Sequence, residues 1–135
     1  MSSFRIFDIA GSALSAQSVR LNTVASNLAN ADAVSGDENT VYRARLPVFQ
    51  AAAEPGQDDA AGVRVLGVVE SQAAPEKRYE PGHPLADAQG YVYAPNVNVV
   101  EEMANMISAA RSYQSSVDVM NTAKDLALAT LNLGR

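Results

Sequence analysis

Apolar residues recur at seven-residue intervals through the first thirty positions. Phe7, Leu14, Leu21 and Leu28 form one row, with Ala10, Gln17, Val24 and Ala31 in the row beside it. An a/d pattern sustained over more than three heptads predicts a helix with a narrow seam for a partner helix. The pattern stops at Asn30, Asp32 and Ser35-Gly36-Asp37, residue types that favour turns.

A second helix is predicted at the other end of the chain, with a better marked start. Pro95 precedes Asn98-Val-Val-Glu101, the spacing of a capping box with Asn98 as N-cap and Glu101 at N3. Met103, Ala110, Val117 and Leu131 fall on one seven-residue row, interrupted by Lys124. Met106, Tyr113, Met120 and Ala127 make the adjoining row, and Gly134 follows the last periodic residue. At 1.5 Å per residue the two helices would be roughly 40 and 50 Å long.

Between them the period changes. Tyr42–Phe49 and Val63–Val69 are β-rich runs on either side of an acidic, turn-prone stretch, Glu54–Asp59. Gly67 suggests a bulge, and Pro47 an edge strand or its end. Glu80-Pro-Gly-His-Pro84 is turn chemistry, and a short strand is expected in Gly90–Ala94. The expected fold class is α+β: two long terminal helices forming a coiled-coil pair, with a small β-rich central region. The expected boundaries are 1–31 for the first helix, 32–95 for the outer β-rich region and 96–135 for the second helix.

Charge sharpens this picture. The chain has 10 Lys+Arg against 15 Asp+Glu, and only 19% of its 135 residues are charged, below the usual ~25%. Between residues 4 and 30 only Arg5, Asp8 and Arg20 carry charge. A solvated coiled coil normally places Glu and Lys beside its seam. Small uncharged residues such as Ser15, Ser18, Asn22 and Ser26 instead suit close approach by another backbone. These helices are therefore expected to have neighbours on more than one side. The net charge of −5 argues against nucleic acid as a partner. No apolar run approaches the ~18–20 residues of a membrane span, and no basic amphipathic face favours a membrane surface. The N-terminus lacks the apolar run of a cleaved signal peptide.

Candidate chemistry is sparse. With no cysteine and one histidine, thiolate and His-cluster metal sites are excluded, and no cofactor is expected. His83 has no second histidine or cysteine to work with and reads as a turn residue. Asp58-Asp59 reads as a solvated turn tip, and Glu101-Glu102 as carboxylates favouring the positive end of a helix dipole. The Met103, Met106 and Met120 spacing fits ordinary packing better than a binding groove. No catalytic or nucleotide-binding motif is present, so an enzyme is not expected.

Several segments together carry a family resemblance. Ser12-Ala-Leu-Ser-Ala-Gln17, Leu21-Asn22 and Ala25-Ser-Asn-Leu-Ala-Asn-Ala31, including Asn27 and Asn30, resemble the N-terminal signature of bacterial flagellar rod and hook proteins. Tyr79–Ala88, with Pro81, Gly82, His83 and Pro84, narrows the resemblance to the basal-body rod proteins, closest to those of the proximal rod. So do Gly90-Tyr91-Val-Tyr-Ala-Pro95-Asn96-Val-Asn98, Glu102-Met103, Ala110–Tyr113 and Thr130–Gly134. Two segments depart from the family pattern. Ser35–Tyr42 is longer and more acidic than the usual approach to the first strand, and Gln114-Ser-Ser116 stands where the family tends to Glu-Ala-Asn.

The resemblance implies a structural subunit, not an enzyme, of a hollow helical shaft within the flagellar basal body. It implies export through the flagellar type III apparatus without a cleaved signal, and a place in the periplasmic rod. Other rod proteins and an adaptor protein at the membrane ring would be its partners in a hetero-oligomeric helical assembly. The family's terminal segments tend to be disordered in free subunits and to fold on assembly. The seam residues expected to carry packing and assembly are Phe7, Leu14, Leu21, Val24 and Leu28 with Met103, Met106, Ala110, Val117 and Met120. Pattern alone leaves open a second reading, a helical coiled-coil adaptor that does not polymerise.

Overall fold

The computed structural model describes residues 3–53 and 62–135. Two helices, α1 (Ser3–Ala29) and α2 (Val99–Leu133), enclose four strands in the chain order: β1 (Arg45–Ala52), β2 (Gly62–Glu70), β3 (Glu76–Tyr79) and β4 (Tyr91–Ala94). The fold is α+β. The expected turn at Glu54–Asp59 lies outside the described residues.

Both helices end as local chemistry dictates. The Asn30 side chain donates to the Ser26 carbonyl at 2.8 Å, closing the last turn of α1. At the start of α2, Asn98 Oδ1 accepts the Glu101 backbone N–H at 3.1 Å, as an N-cap should. The reciprocal half of the expected capping box is missing, because the exposed Glu101 side chain makes no hydrogen bond back to Asn98. Gly134 ends α2 with φ −83°, a conformation open to any residue, so the left-handed cap a glycine permits is not used.

The strands form two antiparallel two-stranded sheets, β1 with β2 and β3 with β4. Val48 pairs with Gly67 and Phe49 with Val65, which leaves Leu66 as the extra residue of a bulge. Gly67 stands there at φ +155°, so the glycine supplies backbone freedom where the ladder slips. β3 was not foreseen: Glu76-Lys-Arg-Tyr79 is fully exposed and has no apolar alternation to announce it. It forms because β4 supplies a partner and Tyr79 meets Tyr91 at a ring separation of 5.1 Å.

The sheets are tied to the helices at few points. α1 packs against α2 and also against β1 and β2, whereas among the described residues α2 touches α1 and none of the strands. Ser12 on α1 accepts the Val63 N–H through Oγ at 3.0 Å, pinning the start of β2. A paired exchange of backbone hydrogen bonds between Ser35 and Tyr93 fastens the loop after α1 to β4. Val92, Ala94, Val41 and Ala44 form a small buried core at this end of the molecule.

Candidate assembly interface

Asn27 is the point where α1, β1 and α2 meet, and it is 1% exposed. Its Oδ1 accepts from the Arg45 backbone N–H and from the Tyr42 hydroxyl, both at 2.8 Å. Its Nδ2 donates to the Arg45 carbonyl at 2.9 Å and to Glu102 Oε2 at 3.1 Å. All four hydrogen-bonding positions of the amide are used, which is what makes its burial affordable. Ser26 adds a 3.1 Å contact to the Tyr42 hydroxyl. The family-motif residue Asn27 is thus a structural hub.

Asn96 does the same work one layer away. Its Oδ1 accepts the Ala44 N–H at 2.7 Å and its Nδ2 donates to the Ala73 carbonyl at 2.8 Å. Arg43 reaches the same Ala73 carbonyl at 3.0 Å. Pro95, beside it, is buried. Together these residues hold the segment entering β1 against the segment entering α2.

The Pro81-Gly82-His83-Pro84 motif is turn architecture. The His83 N–H donates to the Glu80 carbonyl, and His83 Nδ1 accepts the Leu85 N–H at 3.1 Å. A ring nitrogen occupied in this way is a turn-former's. Gly90 has φ +85°, and a Cβ there would lie 3.0 Å from the Tyr79 ring and 3.1 Å from Pro81. Both the dihedral and the close approach call for glycine. Asp87 accepts the Tyr91 and Gln89 N–H groups at 2.9 Å, and the Tyr91 bond above all holds its pKa below the usual aspartate value.

Burial is uneven along the expected seam residues. Ala10 and Val24 are buried, and Phe7, Leu14, Leu21 and Leu28 are half-buried. On α2, however, the buried row is Glu102, Ala109 and Ala123, with Ser116 half-buried between them. Met106, Val117 and Met120 flank that row and are half-buried. Met103, at 54% exposure, and Ala110 are exposed. The difference in burial has a physical cause. Alanine and serine carry little hydrophobic signal and Glu102 carries none, so the row that packs closest is the one that reads weakest.

The helices run antiparallel, with Asn27 opposite Glu102 and Arg20 reaching Asn105 at 3.5 Å. Open grooves border the pair among the described residues. One, of about 270 Å³, lies between α1 and the first sheet and is lined by Asn22, Ser26, Arg45 and Val68. The other, of about 330 Å³, lies near the free end of the pair between Ile6 and Val119, Ala123 and Leu126. Ser15 and Asn22, expected to face neighbours, are exposed, and Ser18 and Ser26 are half-buried. Phe4, Leu126, Leu131 and Leu133 are exposed at that end, the last at 87%. No helix is long and apolar enough to cross a membrane, and no group of metal-ligating side chains is found among the described residues.

Comparison with known proteins is consistent along the whole chain. Residues 7–36 match the family described as flagella basal body rod protein. Residues 88–133 match the C-terminal family of the flagellar basal body rod FlgEFG proteins. The flagellar basal-body rod protein FlgC of Salmonella typhimurium is 58% identical over 135 residues, covering all of both chains. The Yersinia enterocolitica FlgC has the same identity and coverage. That of Buchnera aphidicola from Acyrthosiphon pisum is 39% identical over 98% of each.

Proposed function

The chain belongs to the FlgC family of flagellar basal-body rod proteins, and from that premise we propose how its helices serve a rod. As a structural rod protein of the basal body, it associates with other rod components. The finer reading is that the helix pair polymerises with neighbouring helices as a coiled coil, giving a hollow helical shaft. That shaft transmits torque and conducts exported subunits. The adaptor protein at the membrane ring and the flagellar export apparatus are the further partners, and the rod lies in the periplasmic space. The chain is delivered there without cleavage of a signal peptide and acts without enzymatic chemistry.

The observation that carries this reading is the apolar surface left on the helices. Phe4, Val100, Ile107, Leu126, Leu131 and Leu133 are all exposed, on elements that contribute little charge to repel a neighbour. Such a surface in water marks a contact site. A head-to-tail contact between unlike faces does not close on itself, so it builds an open helix. Divided among six or more side chains, the contact would carry torque through many small interactions.

The test separates assembly from folding. The double substitution Leu131→Gln with Leu133→Gln keeps good helix formers at exposed positions. It should leave the helicity and stability of the purified chain unchanged while the protein disappears from purified hook–basal bodies and cells lose motility. Normal incorporation and motility would overturn the assembly role of this end. Absence of the parent protein from hook–basal bodies would favour a non-polymerising adaptor.

A further inference from the structure

The bond between Asn27 and Glu102 has a direction. The Asn27 amide cannot turn, because Oδ1 is held by the Arg45 N–H and the Tyr42 hydroxyl and one Nδ2 proton by the Arg45 carbonyl. The remaining proton is aimed at α2. There the buried row runs Glu102, Ala109, Ser116, Ala123 at seven-residue spacing, and Glu102 is its one charged member.

Beyond the ties at Asn96 that hold the segment entering α2, most side chains between the helices discriminate weakly among alignments. Ala10 on α1 and Ala109 and Ala123 on α2 are small, while Gln17, between Ala10 and Val24, has a buried Oε1 that no hydrogen-bond partner among the described residues holds to one alignment. A slide of one heptad, ~10 Å along the axis, replaces alanine or serine with alanine or serine over most of the row. It also brings Ala109 opposite Asn27, leaving the amide proton buried without an acceptor and the carboxylate without its donor. The Arg20–Asn105 contact, at 3.5 Å, sits at the limit of a hydrogen bond and discriminates weakly.

We propose that Asn27 and Glu102 set the axial register of the helix pair. α1 and β1 together hold one oriented donor, and Glu102 is the acceptor on α2 that meets it in a single alignment. A fully hydrogen-bonded buried polar pair in an interface of mostly small side chains favours one alignment because every other alignment strands it. The consequence reaches the free end, where register decides which apolar side chains of α1 and α2 stand side by side for a neighbour. Asn27 and Glu102 are thus positioning residues, acting on a surface that they do not touch.

The chain has no cysteine, so a label pair can be placed cleanly. Ala25→Cys and Ala110→Cys are exposed and near the hub, where fraying of the far end does not intrude. Spin labels on both, read by pulsed dipolar spectroscopy on the purified chain, should give one narrow distance. Glu102→Gln, which keeps an acceptor, should preserve it. Glu102→Ala should add a second population displaced by about one heptad. Should Glu102→Ala fail to fold, Glu102→Met, of similar length without an oxygen, carries the same expectation. A single unchanged distance in the acceptor-less variant, or a broad distribution in the parent, would overturn the proposal.

Discussion

The two ends of the helix pair are built on opposite principles. At the base, where α1 meets β1 and the chain enters α2, Val92 is completely buried and every hydrogen-bonding position of Asn27 is matched. At the far end, Phe4, Leu131 and Leu133 are exposed and Leu126 borders a groove. The base spends polar groups on geometry, since hydrogen bonds are directional and costly to leave unmade. The far end keeps apolar groups, whose attraction has no direction and accepts a partner of many shapes. A subunit that must be fixed internally and still join its neighbours has reason to separate the two.

The sharpest way to break this contrast is Asn27→Ala. It removes the side-chain partner of the Arg45 N–H, the Arg45 carbonyl and Glu102 together and leaves the Tyr42 hydroxyl only Ser26, and should cost about 3 kcal/mol or more in urea unfolding. A loss below about 1 kcal/mol would mean the hub is ornamental. Gly36→Ala probes the same end, because a Cβ there would stand 2.5 Å from the Leu85 backbone carbonyl. Its cost should be about 1–3 kcal/mol, with the exchange between Ser35 and Tyr93 weakened in amide hydrogen exchange.

Gly11, in the first half of α1, has nothing within 4 Å of an added Cβ. Gly11→Ala should therefore stabilise the chain, by about 0.5–1 kcal/mol, and raise its helicity. Opposite signs at Gly36 and Gly11 would express the contrast in one measurement.

Asp87 gives the smallest effect. Its folded pKa lies below the ordinary value of 3.8, so its contribution is present above that pH and lost as pH falls through the lowered value. The Tyr91 amide resonance should move in that acidic window and cease to do so in Asp87→Asn.

Much of this was legible along the chain. The heptads of α1, the Asn98 cap, the Gly67 bulge and the strand at Tyr91–Ala94 each rest on a local rule, so they could be read locally. β3 could not, because Glu76–Tyr79 becomes a strand only once β4 lies beside it. Among the site residues, Asn27 and Asn96 were visible as parts of a resemblance, without a reason for asparagine. The reason is four hydrogen bonds to segments 15 to 75 residues away at Asn27 and two, 23 and 52 residues away, at Asn96.

The sequence by itself determined that two long, weakly charged helices bracket a small β-rich region, because helix period and turn chemistry are properties of short windows. Which face of α2 meets α1 was decided by the tertiary structure alone. The row Glu102, Ala109, Ser116, Ala123 wins over the more hydrophobic row of Met103 and Ala110 because close packing rewards small side chains. A buried carboxylate is tolerated in that row only where Asn27 waits to receive it.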